Sequence, residues 1–175
     1  MTDAEFEAVF QEHKNAVYQF AWRMTNSGAT AEDIAQEVFL SLWRGEAELD
    51  AARGSWRALL LGIARNIAWK RWRRDRKWSQ LEDDAAVCAA PMPVETLALQ
   101  DSVEHAVQAL PPLQREALIL ATYSELSLQE IADATGAEIG TVKARLHRAR
   151  ENLKRMLSAY KPGSAEARRR YGTAR

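Results

Sequence analysis

Lys143, Arg145, His147, Arg148 and Arg150 crowd into one short segment, and their chemistry suits phosphate contact. With that segment helical, Gly140, Thr141, Ala144, His147 and Arg148 share a face, with Lys143 and Arg145 at its flanks. Ile139, Val142, Leu146, Ala149 and Leu153 form the opposite, apolar stripe. Small residues near a helix N-terminus with cations close by suit a recognition helix in a DNA major groove. A second cluster is WKRWRRDRKW, where Trp69, Trp72 and Trp78 alternate with Lys70, Arg71, Arg73, Arg74, Arg76 and Lys77. Cations attract phosphate, and exposed aromatic faces stack on unpaired bases. The competing reading is a basic helix end favoured by the macrodipole, with tryptophans closing a core. A third cluster is acidic: Glu32, Asp33, Gln36 and Glu37 lie outside a helix whose flanks carry Phe39 and Trp43. That face either docks on a basic partner helix or is solvated, with both aromatics in the core. His13, His105 and His147 are scattered, and neither metal-ligand spacing nor a Gly-rich phosphate loop occurs. The expectation is therefore no enzyme, no cofactor and no metal.

These side chains need elements to hold them. Ser127-Leu128-Gln129-Glu130 is a capping box, and Leu128, Ile131, Ala132 and Thr135 follow at helical spacing. Gly136 supplies a sharp turn, where a left-handed backbone costs glycine nothing. The pattern predicts a helix-turn-helix. Upstream, Phe6, Val9, Phe10, His13, Val17, Phe20, Ala21 and Met24 predict a helix from about Asp3 to Thr25, with His13 as a core histidine. Asn26-Ser27-Gly28 breaks it, and Thr30 is read as the cap of the next helix, with Ile34, Ala35, Val38 and Leu42 inside. A polar loop (44–54) leads to a long helix from Ser55 to about Lys77, burying Trp56, Leu59, Leu60, Ile63, Ala64 and Ile67 on one side. A helix over about Glu95–Ala109 and another from Gln114 to Tyr123 follow, with Pro111-Pro112 between them. No segment shows strand alternation. The fold class is all-α: two small helical domains joined by a flexible linker, the second containing the helix-turn-helix. The boundaries read as 1–78, a linker at 79–94 with LEDDAA, Pro91 and Pro93, a second domain at 95–160, and a basic tail at 161–175.

Twenty-four Lys and Arg balance 24 Asp and Glu, but the neutrality conceals segregation. Residues 1–50 carry a net −7, 51–80 a net +8, 81–142 a net −10, and 143–175 a net +9. Two basic blocks suggest two phosphate-contacting surfaces, and the acidic blocks suggest surfaces for other partners. No apolar run approaches the roughly 20 residues of a membrane span. The acidic start MTDAEFEAVF lacks a signal-peptide pattern, and the single Cys88 cannot form an internal disulfide. Both fit the cytoplasm.

Three blocks in order, AEDIAQEVFLSLW, SWRALLLGIARNIAWKRWRR and LPPLQREALILATYSELSLQEIADATGAEIGTVKARLHRARENLK, resemble the extracytoplasmic-function sigma factors of bacterial RNA polymerase. The resemblance runs over roughly residues 5–157. It implies a non-catalytic promoter-specificity subunit. Asp33, Gln36, Glu37, Phe39 and Trp43 would dock on the clamp coiled coil of core polymerase. The loop Leu49–Ser55, with Asp50, Arg53 and Ser55, would capture a flipped base of the minus-ten element. Arg65, Asn66, Trp69, Lys70, Arg73 and Arg74 would contact and melt that element. Thr141, Lys143, Ala144, Arg145, His147 and Arg148 would read the minus-thirty-five element. An anti-sigma partner and a monomeric free state are also implied. Lys70-Arg71 stand where members often carry Asp-Tyr, which adds positive charge, and Ala144 replaces a frequent Ser. An Ala can still touch a thymine methyl. The alternative is a conventional helix-turn-helix regulator that dimerises on two half-sites. The aromatic-basic first half, in place of a sensor domain, argues against it.

Overall fold

The computed structural model describes residues 1–46, 55–74 and 99–158. Among these there are helices and turns only. Helix α1 (Asp3–Thr25) starts at a Thr2 capping box closed by Glu5 and ends at Asn26, whose φ of 54° is left-handed. Asparagine tolerates that region better than other residues with a Cβ. Helix α2 (Gly28–Trp43) is capped by Ser27, whose hydroxyl accepts from the Thr30 backbone N–H at 3.3 Å. Thr30 is therefore inside the helix, and its own hydroxyl bonds the Ser27 side chain at 3.0 Å. Gly28, part of the expected break, forms the first helical residue, since one good N-cap outweighs a modest propensity cost.

Helix α3 (Trp56–Arg74) crosses α1 and α2. Leu60, Leu61, Ala64, Ile67 and Ala68 form one buried stripe with Ala58 and Trp69 at its edge, while Trp56, Leu59 and Ile63 of the expected set are half-buried. The second half of the chain covers the other side. The helix over Leu128–Thr135 packs closely enough that a Cβ at Gly62 would lie 3.7 Å from the Ala134 Cβ. Helix α4 is described over Leu99–Gln108, so the expected start at Glu95 lies outside the described residues.

Helix α5 (Pro112–Leu118) runs into a π-helical turn, Ile119–Tyr123, where one continuous α-helix from Gln114 was expected. The Ser124 N–H reaches back five residues to the Ile119 carbonyl at 3.0 Å. The wider turn lets Ile119 and Leu120 stay buried while Tyr123 turns outward against α1. Apolar spacing cannot distinguish that turn from ordinary helix. Helices α6 (Leu128–Thr135) and α7 (Ile139–Leu157) complete the chain. One connected apolar core runs through both halves, from Val9 in α1 to Ala149 in α7. His13 belongs to that buried set, and burial pushes its pKa down. No helix among the described residues is long and apolar enough to cross a membrane.

Candidate nucleic-acid interface

The helix-turn-helix forms as its residues dictate. Ser127 accepts from the Glu130 N–H at 3.2 Å, and the Glu130 carboxylate returns to the Ser127 N–H at 2.9 Å. Such a cap is worth about 0.5–2 kcal/mol. Gly136 ends α6 at φ 67°, so the turn has the geometry that only glycine adopts without strain. Val142, Leu146 and Ala149 bury one side of α7. Lys143, Ala144, His147 and Arg148 are exposed, while Thr141 and Arg145 are half-buried. Ile139, expected on the apolar stripe, is exposed at the helix start. Asn152 of α7 donates to the buried Gln114 at 2.7 Å, which ties α7 to α5.

The basic end of α3 is arranged differently. Asn66, Lys70, Arg73 and Arg74 are exposed. Trp69 is only 3% exposed, and its indole N–H donates to Glu116 Oε1 at 2.6 Å. Arg65 Nε donates to the same oxygen at 2.6 Å. Trp72 meets Trp69 edge-on at 5.3 Å between ring centres. Ser55 accepts from the Ala58 N–H at 3.2 Å, and its hydroxyl donates to Glu130 Oε1 at 2.9 Å. Asp50 and Arg53 lie outside the described residues.

Glu116, absent from the expected site residues, is 1% exposed and comes from the second half. Burial pushes its carboxyl above the usual carboxylate range, against the opposing pull of Arg65, Trp69 and the charge of Arg145. Its neighbour Arg115 reaches the other way. Arg115 Nη1 donates to the Met24 carbonyl at 3.2 Å, and Gln108 Nε2 donates to the Arg23 carbonyl at 2.7 Å. The last carbonyls of α1 are thus capped by side chains of the second half, where a cation also suits the helix dipole. Arg115 further donates to the Gln108 and Leu110 carbonyls, and burial lowers its pKa to about 10. Arg23 lies 4.1 Å above the Tyr123 ring and 3.5 Å from Glu104. Consecutive residues Arg115 and Glu116 therefore clasp the two halves together. The only sequence signal was a charged pair inside the apolar run LPPLQREALIL.

Two grooves flank α2. Between α1 and α2 lies an apolar one of about 900 Å³, lined by Phe6, Phe10, Tyr18, Phe39, Leu40 and Trp43 among others. Between α2 and α3 lies a polar one of about 410 Å³, with Asp33, Gln36, Glu37 and Arg71 on its rim and Ile63 and Ile67 beneath. Asp33, Gln36 and Glu37 are exposed. The two aromatics part company. Phe39 is 6% exposed and packs edge-on against Phe10, whereas Trp43 is 54% exposed beside Phe6. Of the two open readings for these side chains, Phe39 takes the core and Trp43 the surface.

The match to known proteins follows the same division. Residues 9–78 match the model of sigma-70 region 2, and residues 100–153 match that of sigma-70 region 4. The ECF RNA polymerase sigma factor SigW of Bacillus subtilis is 30% identical over 168 residues, covering 87% of this chain and 88% of that protein. The chain belongs to the extracytoplasmic-function sigma factors. SigK of Mycobacterium bovis, named likewise as an ECF sigma factor, is 30% identical over 161 residues, covering 88% of this chain and 86% of its own. Among solved structures, the sigma factor RpoE of Bartonella quintana, in complex with the anti-sigma factor NepR, is similar with a TM-score of 0.66 and 30% identity. That match covers 88% of this chain and 97% of the other. CnrH, solved with the cytosolic domain of CnrY, shares the fold at a TM-score of 0.67 over 90% of each chain. As a sigma factor of this group, the chain directs RNA polymerase to promoters for initiation.

Proposed function

We propose that the two halves of this sigma factor divide promoter recognition, with 1–78 serving polymerase docking and the minus-ten element and 95–160 serving the minus-thirty-five element. The observation that carries this reading is the exposure of an acidic α2 face, a basic α3 end and a basic α7 face on one chain. Asp33, Gln36, Glu37 and Trp43 dock on a basic clamp helix of core polymerase, with Phe39 supporting them from beneath. Asp50, Arg53 and Ser55 surround a flipped base, and Asn66, Lys70, Arg73 and Arg74 hold the minus-ten backbone beside it. Arg65 and Trp69 join them once Glu116 is withdrawn. Thr141, Lys143, Ala144, Arg145, His147 and Arg148 read the minus-thirty-five element. The protein acts by binding and not by catalysis, and it works in the cytoplasm as a monomer when free. The NepR complex of the similar RpoE supports an anti-sigma partner for this chain as well.

The clasped arrangement is the resting form. Two elements about 25 base pairs apart are separated by roughly 85 Å at about 3.4 Å per pair. Halves sharing one core cannot reach both. The 24 residues 75–98 between α3 and α4 reach about 80–86 Å when fully extended, and the width of the two halves themselves covers part of the separation. Purified chain added to core polymerase should start transcription from a defined promoter. Failure of the two to associate would sink the reading.

A further inference from the structure

Arg71 belongs to the basic end of α3, yet it sits on the docking face. Its Nη1 donates to Asp33 Oδ2 at 3.1 Å and its Nη2 to Glu37 Oε2 at 3.0 Å. Asp33 and Glu37 lie one turn apart on α2, and the guanidinium forks across both. One cation of this chain therefore already occupies the carboxylates that a basic polymerase helix would need. We propose that Arg71 exchanges partners: polymerase docking displaces it from Asp33 and Glu37, and it then contacts a phosphate of minus-ten DNA.

The chemistry permits this. The side chains of Arg71, Asp33 and Glu37 are 24%, 63% and 50% exposed, so the pairs are screened and exchange readily. Arg71 stays charged at any working pH, so its displacement needs a new anion. Arg71 is flanked by the exposed cations Lys70, Arg73 and Arg74 at the end of α3. A phosphate running past those residues is within reach of a released guanidinium. Docking and DNA contact would then reinforce each other, because coupling between two sites is reciprocal. This inference rests on the docking face proposed above.

The test uses the full chain and intact core polymerase. Arg71→Gln should bind core polymerase about two- to fivefold more tightly, since the carboxylates no longer exchange an internal partner. In holoenzyme, the same variant should lower the salt slope of promoter binding by about one. Arg71→Lys, which keeps the charge and loses the fork, should retain that slope. Weaker or unchanged core binding by Arg71→Gln overturns the exchange, as does an unchanged slope. An Asp33→Asn/Glu37→Gln variant separates the two readings. If it binds core polymerase as well as wild type, the docking face itself is misplaced. If it binds worse while Arg71→Gln does not bind better, only the exchange fails.

Discussion

The exposed face of α7 and the basic end of α3 are both rich in arginine, but the fold treats them differently. On α7 the apolar stripe packs inward, and Lys143, Ala144, His147 and Arg148 are left at the surface. On α3 the cations Arg65 and Arg71 are paired with carboxylates from other helices, and Trp69 is buried against Glu116. A cationic surface is thus presented in advance on one helix and partly covered on the other. The difference teaches that arginine density marks a candidate DNA surface without saying whether the folded chain has already used it.

The largest effect should come from Glu116. Removing one partner of a buried, hydrogen-bonded ion pair costs about 3–5 kcal/mol. Glu116→Ala should therefore separate the halves or destabilise the clasp, read as a larger radius of gyration in small-angle scattering and a lower melting temperature. Glu116→Gln keeps the acceptor oxygen and should open the joint less. Compactness unaffected by either change would show that the α3 contact holds nothing together. Arg115→Ala comes next, since it uncaps the Met24 carbonyl and leaves the joint one cation short. A loss of about 1–3 kcal/mol in thermal unfolding is expected, and a stability equal to wild type would remove the clasp from that side.

Arg148→Ala tests the other surface. It should weaken minus-thirty-five binding by about 1–3 kcal/mol at the base it contacts. The radius of gyration should stay put, because Arg148 is exposed on α7. Equal affinity for wild-type and altered elements would remove it from the readout. The smallest effect concerns pH. Glu116 carries a raised pKa in the clasped form and an ordinary value near 4.5 once exposed. The clasped form therefore binds the proton more strongly, so it gains stability as pH falls towards 4.5 and loses it as pH rises through the raised value. Scattering across mildly acidic pH should show tighter compaction at the low end, and Glu116→Gln should flatten that trend.

Much of this was legible beforehand. The ends of α1, the capping box at Ser127 and the left-handed Gly136 each follow from a few neighbouring residues, because caps and turns are local hydrogen-bond problems. The inward stripe of α7 follows from its period at Val142, Leu146 and Ala149, while Ile139 at the helix start is exposed and Leu153 half-buried. Thr30 and Ser27 both fit a cap by residue type, and only the path of the chain after Asn26 selects Ser27. The π turn at Ile119–Tyr123 escaped because it preserves an apolar helical pattern. Phe39 and Trp43 cannot be separated from spacing alone, since both flank α2 and each meets a phenylalanine of α1, yet only Phe39 is buried there.

Helical content, the order of the elements, the two basic clusters and the sigma-factor character were all written in residue types and their spacing. Those properties depend on neighbours a few positions apart. The pairing of Glu116 with Arg65 and Trp69, of Arg115 with the end of α1, and of Arg71 with Asp33 and Glu37 was settled only by tertiary packing. Those partners lie tens of residues apart, and any of several charges could have met them. Which carboxylate reaches which arginine depends on how the helices cross, and no local pattern carries that information.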